Sequence, residues 1–171
     1  MATGIMRSGV LSEKELAKLP GMPSKDRLKK GPVAVIECAQ EIPCDPCVLS
    51  CSQGAIEIGE DINGLPVLKE DECVGCGLCI PACPGLAIFV VDLTFSKENA
   101  LVQLAHEFLP LPKKGETVEC LNREGKIVSE GWVIRISNPR KNDRTPVLSV
   151  TLPKGFAQEV RAIRIIKRRG G

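Results

Sequence analysis

Aromatic side chains are scarce in this chain, which has four phenylalanines, one tryptophan and no tyrosine. A large substrate pocket lined by aromatic side chains is therefore not expected within this chain alone. No apolar run reaches the roughly 18 to 20 residues that a helix needs to cross a bilayer. The N-terminal segment also lacks the apolar stretch of a secretory signal. A cytoplasmic, reducing location is therefore expected.

Two fingerprints of nucleotide chemistry are also absent from the sequence. It has neither the Gly-x-Gly-x-x-Gly pattern that binds dinucleotides nor a phosphate-cradling loop. Hydride chemistry is therefore expected to belong to another chain. This chain is not expected to be catalytic on its own.

Nine cysteines contrast with these absences. Because disulfides are rare in a reducing compartment, clustered cysteines there are more often metal ligands. An odd number would also leave one thiol without a disulfide partner. Cys120 lies apart from the others in a predicted strand and is interpreted as a small core residue. The alternative for Cys120 is that it replaces a missing ligand such as Cys38.

The strongest motif is the run CVGCGLCIPACP. Its cysteines and the proline that follows them are Cys73, Cys76, Cys79, Cys83 and Pro84. This is the ligand spacing of bacterial four-iron clusters, in which the fourth cysteine ligates the other cluster of a pair. Two intervening residues let a tight loop wrap three corners of one cube. Gly75 and Gly77 allow the sharp turns and are expected to bring backbone N–H groups toward the cluster sulfides.

An earlier segment repeats this run in a looser form. Its cysteines are Cys38, Cys44, Cys47 and Cys51. Five residues, instead of two, separate Cys38 from Cys44, and Ser52 stands where the run would have proline. Two alternatives therefore stay open. Either Cys38 is a ligand, or three thiolates hold a three-iron or labile cluster.

Crossed ligation, in which the last cysteine of each run binds the cluster held mainly by the other run, predicts two [4Fe-4S] clusters. Cluster 1 is assigned to Cys38, Cys44, Cys47 and Cys83. Cluster 2 is assigned to Cys51, Cys73, Cys76 and Cys79. Because each set draws on both repeats, metal binding is expected to supply much of the folding energy. Two zinc ions in four-thiolate sites are the alternative, but zinc sites usually present two well-separated Cys-x2-Cys pairs.

Residues 33–95 resemble a bacterial-type ferredoxin with two [4Fe-4S] clusters. The whole chain is similar to the small iron–sulfur subunits of flavin-dependent dehydrogenases that act on amino acids such as proline, on amines or on glycerol 3-phosphate. The stretches GVLSEKELAKLPG, KKGPVAVIEC, EIPCDPC and EFLPLPKKGE carry this second likeness. It implies an electron-transfer role beside an FAD-containing dehydrogenase subunit, with an NAD(H)-linked flavoprotein and another small iron–sulfur subunit as further partners.

The predicted fold class is α+β, with three regions. Residues 1–32 form an arm with a short helix, for which Ser12 and Glu15 provide a capping box. Residues 33–95 form a ferredoxin-like dicluster domain with a pseudo-twofold repeat. Residues 96–171 form a small antiparallel β-barrel domain with a basic tail. Its strands are predicted at residues 100–108, 117–121, 127–136, 147–152 and 160–166, with a helix over 98–109 competing for the first.

Charge is partitioned along the chain, although its net charge is only +2. Residues 33–95 hold ten acidic residues and one basic residue, and are predicted to form a docking face that steers a redox partner. Residues 96–171 hold fifteen basic and eight acidic residues. They are predicted to dock a partner protein, because aromatics for stacking on single-stranded nucleic acid are few. The alternatives are a free-standing soluble ferredoxin and a nucleic-acid-associated metal-binding protein.

Overall fold

A computed structural model describes residues 4–166. Its helices are α1 (Ile5–Ser8), α2 (Glu13–Leu16), α3 (Lys25–Leu28), α4 (Pro46–Ser50) and α5 (Cys79–Ala82). Its strands are β1 (Val33–Ile36), β2 (Ile56–Glu57), β3 (Val67–Leu68), β4 (Ile88–Asp92), β5 (Asn99–Ala105), β6 (Thr117–Leu121), β7 (Ile127–Ser137), β8 (Val147–Pro153) and β9 (Ala162–Ile165). None of these helices is long and apolar enough to cross a membrane. The predicted basic tail at 167–171 lies outside the described residues.

The N-terminal arm packs on its own chain. The predicted capping box is present, since Ser12 Oγ accepts from the Glu15 N–H while the Glu15 carboxylate accepts from the Ser12 N–H at 2.8 Å. The helix that follows, α2, ends at Leu16. Beyond it, Ile36 N–H of β1 donates to the Gly21 carbonyl at 3.0 Å. The arm is thereby tied to the edge of the main sheet.

Seven strands form one antiparallel sheet in the order β1-β4-β5-β8-β7-β6-β9. The strand interpretation of residues 100–108 is confirmed by β5, and the other four predicted strands correspond to β6, β7, β8 and β9. Burial alternates along β5, where Ala100, Val102 and Leu104 are fully buried. This alternation is the pattern of a strand with one face in the core.

The predicted small β-barrel is not confirmed, because the sheet of the described residues is open and ends at β1 and β9. The reason is the pairing of β5. One edge of β5 pairs with β8 and the other pairs with β4 of the cysteine region. With both edges of β5 occupied, β9 cannot pair with β5 to close a barrel of the five strands β5 to β9. The sheet therefore contains strands from both sides of residue 95, the predicted boundary between two domains.

An ion-pair cluster links the two edges of the sheet instead of a strand pairing. Glu37, which follows β1, accepts from Arg161 Nε at 2.7 Å and from Arg123 Nε at 2.9 Å. Arg161 directly precedes β9, and its guanidinium lies 4.7 Å from the centre of the Phe89 ring on β4. The side chains of Glu37 and Arg161 are both buried. This cluster therefore holds the curled sheet together across its open side.

Burial and charge act in opposite directions on the pKa values of this cluster. Burial alone would raise the pKa of Glu37, but the hydrogen bond from Arg123 and the charge of Arg161 outweigh it and lower that pKa. Burial lowers the pKa of Arg161 to about 10, and the Glu37 charge opposes this shift. Both groups are therefore charged at neutral pH.

Candidate metal centres

One cavity is lined by cysteines from both repeats. They are Cys51, Cys73, Cys76 and Cys79. Ala34 of β1 and Val90 of β4 supply part of the apolar wall. The structure thus brings together the four residues that the sequence assigns to cluster 2.

A second cavity is lined by the other four candidate ligands. They are Cys38, Cys44, Cys47 and Cys83. Pro66, Pro84 and Ile42 form apolar walls beside them. Cys38 lines this cavity despite the expanded loop before Cys44, so its position favours the four-thiolate alternative. The assignment of all eight cysteines as ligands stays a prediction.

The crossing arises from the backbone at the end of each short helix. Cys51 follows α4 with φ −85° and ψ 95°, and Cys83 follows α5 with φ −79° and ψ 111°. Pro84 disfavours a helical Cys83, because a residue before proline is pushed into extended backbone. Cys51 adopts the same conformation although Ser52 follows it. Each helix therefore sends its last cysteine into the cavity built mainly by the other repeat.

Backbone N–H groups point at three of the candidate sulfur ligands. Ala55 N–H donates to Cys51 Sγ at 3.3 Å, and Ala87 N–H donates to Cys83 Sγ at 3.4 Å. Both donors lie four residues after the cysteine, so the pseudo-twofold repeat extends to the hydrogen bonds. Ala34 N–H also donates to Cys73 Sγ at 3.4 Å. Such bonds stabilise negative charge on sulfur and influence the potential of a bound cluster.

Gly75 and Gly77 shape the Cys73–Cys79 loop through two separate constraints. Both have positive φ, 65° and 77°, which side chains disfavour. A Cβ on Gly75 would lie 2.5 Å from Pro32, and a Cβ on Gly77 would lie 2.8 Å from the Gln103 side chain. The loop can therefore lie against Pro32 and β5 only because both positions are glycine.

Gly75→Ala is expected to displace this loop and to reduce the iron content from about eight atoms to about four per chain, as one cubane is lost. Gly54→Ala is the matched control. Gly54 has nearly the same φ, 63°, but no atom within 4 Å of its hypothetical Cβ. The Gly54→Ala variant should lose only about 1 to 2 kcal/mol of unfolding free energy, the cost of a left-handed backbone with a side chain. It should keep its iron. Iron and stability measured on both anaerobic proteins check this, and equal losses would contradict it.

The buried thiols of the two cavities resist ionisation in the metal-free chain. Burial raises the pKa of Cys79 to about 12 and that of Cys47 to about 11, and neighbouring cysteines add to both shifts. These thiols are therefore protonated at neutral pH. Because thiolates are the ligands, metal binding at these positions must release protons.

The donor set of each cavity fits a four-iron cluster. Four cysteines line each cavity, and a cubane needs four thiolates, one for each iron. Across residues 4–166, no group of three or more cysteine, histidine or acidic side chains is placed to hold a single metal ion.

Arg27 contacts the cluster 2 loop, and this structural role cannot be recognised from the sequence. Its guanidinium is buried and donates to the carbonyl oxygens of Cys73 at 2.5 Å, Pro32 at 3.0 Å and Glu70 at 2.8 Å. It thereby fastens the N-terminal arm to the loop that begins at Cys73. Arg27 is one of seven basic residues in the arm, and no motif separates it from the others.

Cys120 and His106 line neither cavity. Cys120 is fully buried in β6, and a Cβ on Gly131 of β7 would lie 2.6 Å from its sulfur. His106 is buried and packs edge-on against Phe108. These positions support the interpretation of Cys120 as a core residue and assign no ligand role to either side chain.

A segment of the chain matches a known protein family. Residues 42–87 match the family described as the 4Fe-4S dicluster domain. The match includes every candidate ligand except Cys38, which lies before its start. It supports iron–sulfur clusters as the cofactors of this segment.

Several known proteins are similar to part of this chain. The polyferredoxin-like subunit of an aliphatic sulfonate oxidoreductase from Pyrococcus furiosus is 37% identical over 54 residues, which cover 32% of this chain and 28% of that protein. An uncharacterized ferredoxin of Methanocaldococcus jannaschii is 40% identical over 67 residues, covering 39% and 38%. The pyruvate synthase subunit PorD of Methanothermobacter marburgensis is 40% identical over 47 residues, covering 28% and 51%.

The chain therefore spans about half or less of the length of these relatives. No solved structure matches it.

Proposed function

We propose that this chain is an electron-transfer subunit that relays single electrons through two [4Fe-4S] clusters to or from a catalytic partner. The observation that carries this is the pair of cavities, each lined by four cysteines drawn from both repeats. When bound, each cluster supplies a one-electron redox centre. Similarity to iron–sulfur subunits of a sulfonate oxidoreductase and an arsenate respiratory reductase supports a subunit role.

The residues of the chain hold the clusters and limit their contact with water. The crossed cysteines Cys51 and Cys83 bind the two repeats into one unit, and the N–H groups of Ala55 and Ala87 support their sulfurs. Apolar side chains line much of both cavities. Among the eight candidate ligands only Cys76 is exposed. Electrons are therefore proposed to leave or enter cluster 2 on the side of Cys76.

The proposed partner is a cytoplasmic, FAD-containing dehydrogenase subunit, accompanied by an NAD(H)-linked flavoprotein and another small iron–sulfur subunit. This choice rests on the sequence stretches GVLSEKELAKLPG, KKGPVAVIEC, EIPCDPC and EFLPLPKKGE, which resemble the small subunits of such dehydrogenases. Two one-electron centres can also divide the two-electron output of a flavin. The arm and the strands β5 to β9 extend well beyond the cysteine region and offer surface for a permanent contact.

Anaerobic affinity purification of the tagged chain from its native host tests this function. We expect about eight irons, with matching acid-labile sulfide, per chain. A flavin-containing protein should remain bound through gel filtration. Elution of the iron-loaded chain alone, without flavin, would favour a free-standing ferredoxin. Zinc without acid-labile sulfide would overturn the electron-transfer role altogether.

A further inference from the structure

A groove of about 320 Å³ opens beside the exposed Cys76. Two cationic side chains, Arg135 and Lys141, line it together with the polar Gln103 and Ser149. No acidic side chain lines this groove in the part of the chain that the structure describes. The acidic face predicted from the sequence therefore does not include this groove.

One row of the sheet connects this groove with the cluster 2 cavity. Residues directly opposite one another on β1, β4, β5, β8 and β7 are Ala34, Val90, Gln103, Ser149 and Arg135. Residues paired in this way lie on the same face of a sheet. The first two line the cluster 2 cavity and the last three line the groove. The groove is therefore a continuation of the face that carries cluster 2.

A β-bulge brings Arg135 to this face. Val133 lies opposite Val150, but Arg135 lies opposite Ser149, so Ile134 is the extra residue. With regular alternation Arg135 would share the face of Val133, which is fully buried in the core. The bulge changes the face of Arg135 and places its cationic side chain beside Cys76. Bulges are often found where a side chain must be redirected at a functional site.

Local contacts fix the two sides of the groove. On one side, Gly77 lies so close to the Gln103 side chain that a Cβ would be 2.8 Å from it. On the other side, Lys141 belongs to a short 3-10 turn, Arg140–Asn142, that follows β7. Asn142 is buried in that turn, and its amide donates to the Ser137 carbonyl at 3.4 Å. The cations therefore have a defined position relative to the Cys76 loop.

We propose that this Cys76 groove docks a carboxylate-rich surface of a redox partner protein. The inference rests on the proposed function. Two cations in a groove that no acidic side chain lines favour an anionic occupant, and the exposed thiolate brings cluster 2 to the contact. One electron passes between a flavin or another one-electron centre of that partner and cluster 2. The partner centre is oxidised as the cluster is reduced, or the reverse.

Charge reversal tests the groove on the cluster-loaded chain. Dithionite-reduced protein is oxidised by hexacyanoferrate(III), a trianion, in a stopped-flow instrument at low ionic strength. The variant Arg135→Glu/Lys141→Glu should react roughly tenfold more slowly than the wild type, because it loses attraction to the probe. The control Lys126→Glu/Lys154→Glu makes the same change in net charge, but at the ends of β7 and β8 that lie away from the groove. Its oxidation rate should stay within about twofold of the wild-type rate. Equal rates for both variants would overturn the inference.

Competition identifies the occupant. An oligo-aspartate peptide should slow the oxidation of the wild type and leave the charge-reversed variant unaffected. Inorganic pyrophosphate that competes as well as the peptide would make the groove a small-anion site and overturn docking of a protein. If the charge-reversed variant lacks the visible absorbance of the clusters, the variant Arg135→Gln/Lys141→Gln is tested in its place. Absent visible absorbance in the wild type would instead refute the proposed function.

Discussion

Removal of Cys44 and Cys83 together is expected to leave one intact four-iron cluster, whereas removal of Cys79 and Cys83 together is expected to leave none. Cys44 and Cys83 line the same cavity although they belong to different repeats. Cys79 and Cys83 belong to one repeat but line different cavities. With crossed ligation, the first pair of alanine substitutions damages only cluster 1, and the second pair damages both clusters.

The two double variants control for each other, because each removes two thiols. Mössbauer spectra of iron-57-labelled protein count intact cubanes, and iron analysis should give about four atoms per chain for Cys44→Ala/Cys83→Ala. Cys120→Ala removes a buried thiol outside both cavities and should keep about eight. If each repeat bound its own cluster, the two double variants would give the reverse pattern. That pattern would contradict crossed ligation.

Glu37→Gln is expected to destabilise the folded chain by about 3 to 5 kcal/mol, because it leaves the buried Arg161 charge without a carboxylate. Arg123 cannot compensate, since it is also a cation. The loss should lower the thermal unfolding midpoint by roughly 10 °C at a fixed scan rate. Glu124→Gln is the matched control, because Glu124 pairs with Lys126 at the surface. Loss of this surface ion pair should lower the free energy of unfolding by less than about 1 kcal/mol.

A second variant separates the ion pair from the shape of the site. Glu37→Gln/Arg161→Met removes both buried charges and keeps the apolar contact with Phe89. It should regain most of the lost midpoint, since replacing a whole buried ion pair by apolar groups is often nearly neutral. Similar midpoints for Glu37→Gln and Glu124→Gln would show that the cluster of Glu37, Arg123 and Arg161 does not hold the edges of the sheet.

The arrangement of the cysteines could be predicted because ligand spacing is a local property of the sequence. The run from Cys73 to Cys83 restricts how one loop can surround a cube, and the repeat supplies the partner set. The strands of residues 96–166 were predictable for a similar reason, since alternation along four to eleven residues defines one buried face. These features depend on neighbours along the chain.

The remaining features depend on contacts between distant residues. Pairing of β4 with β5 left no free edge on β5, and the alternation within β5 does not state which strands will flank it. Arg161 and Glu37 are 124 positions apart, so nothing local links them. The bulge at Ile134 has no glycine to mark it, and the redirected Arg135 could not be recognised before the register with β8 was known.

Iron-edge anomalous diffraction from crystals grown without oxygen tests the central claim most directly. We predict two compact groups of four iron peaks. One group should lie among Cys38, Cys44, Cys47 and Cys83, and the other among Cys51, Cys73, Cys76 and Cys79. Two single peaks that appear at the zinc edge would contradict the claim, as would a group of irons ligated by Cys73, Cys76, Cys79 and Cys83 together.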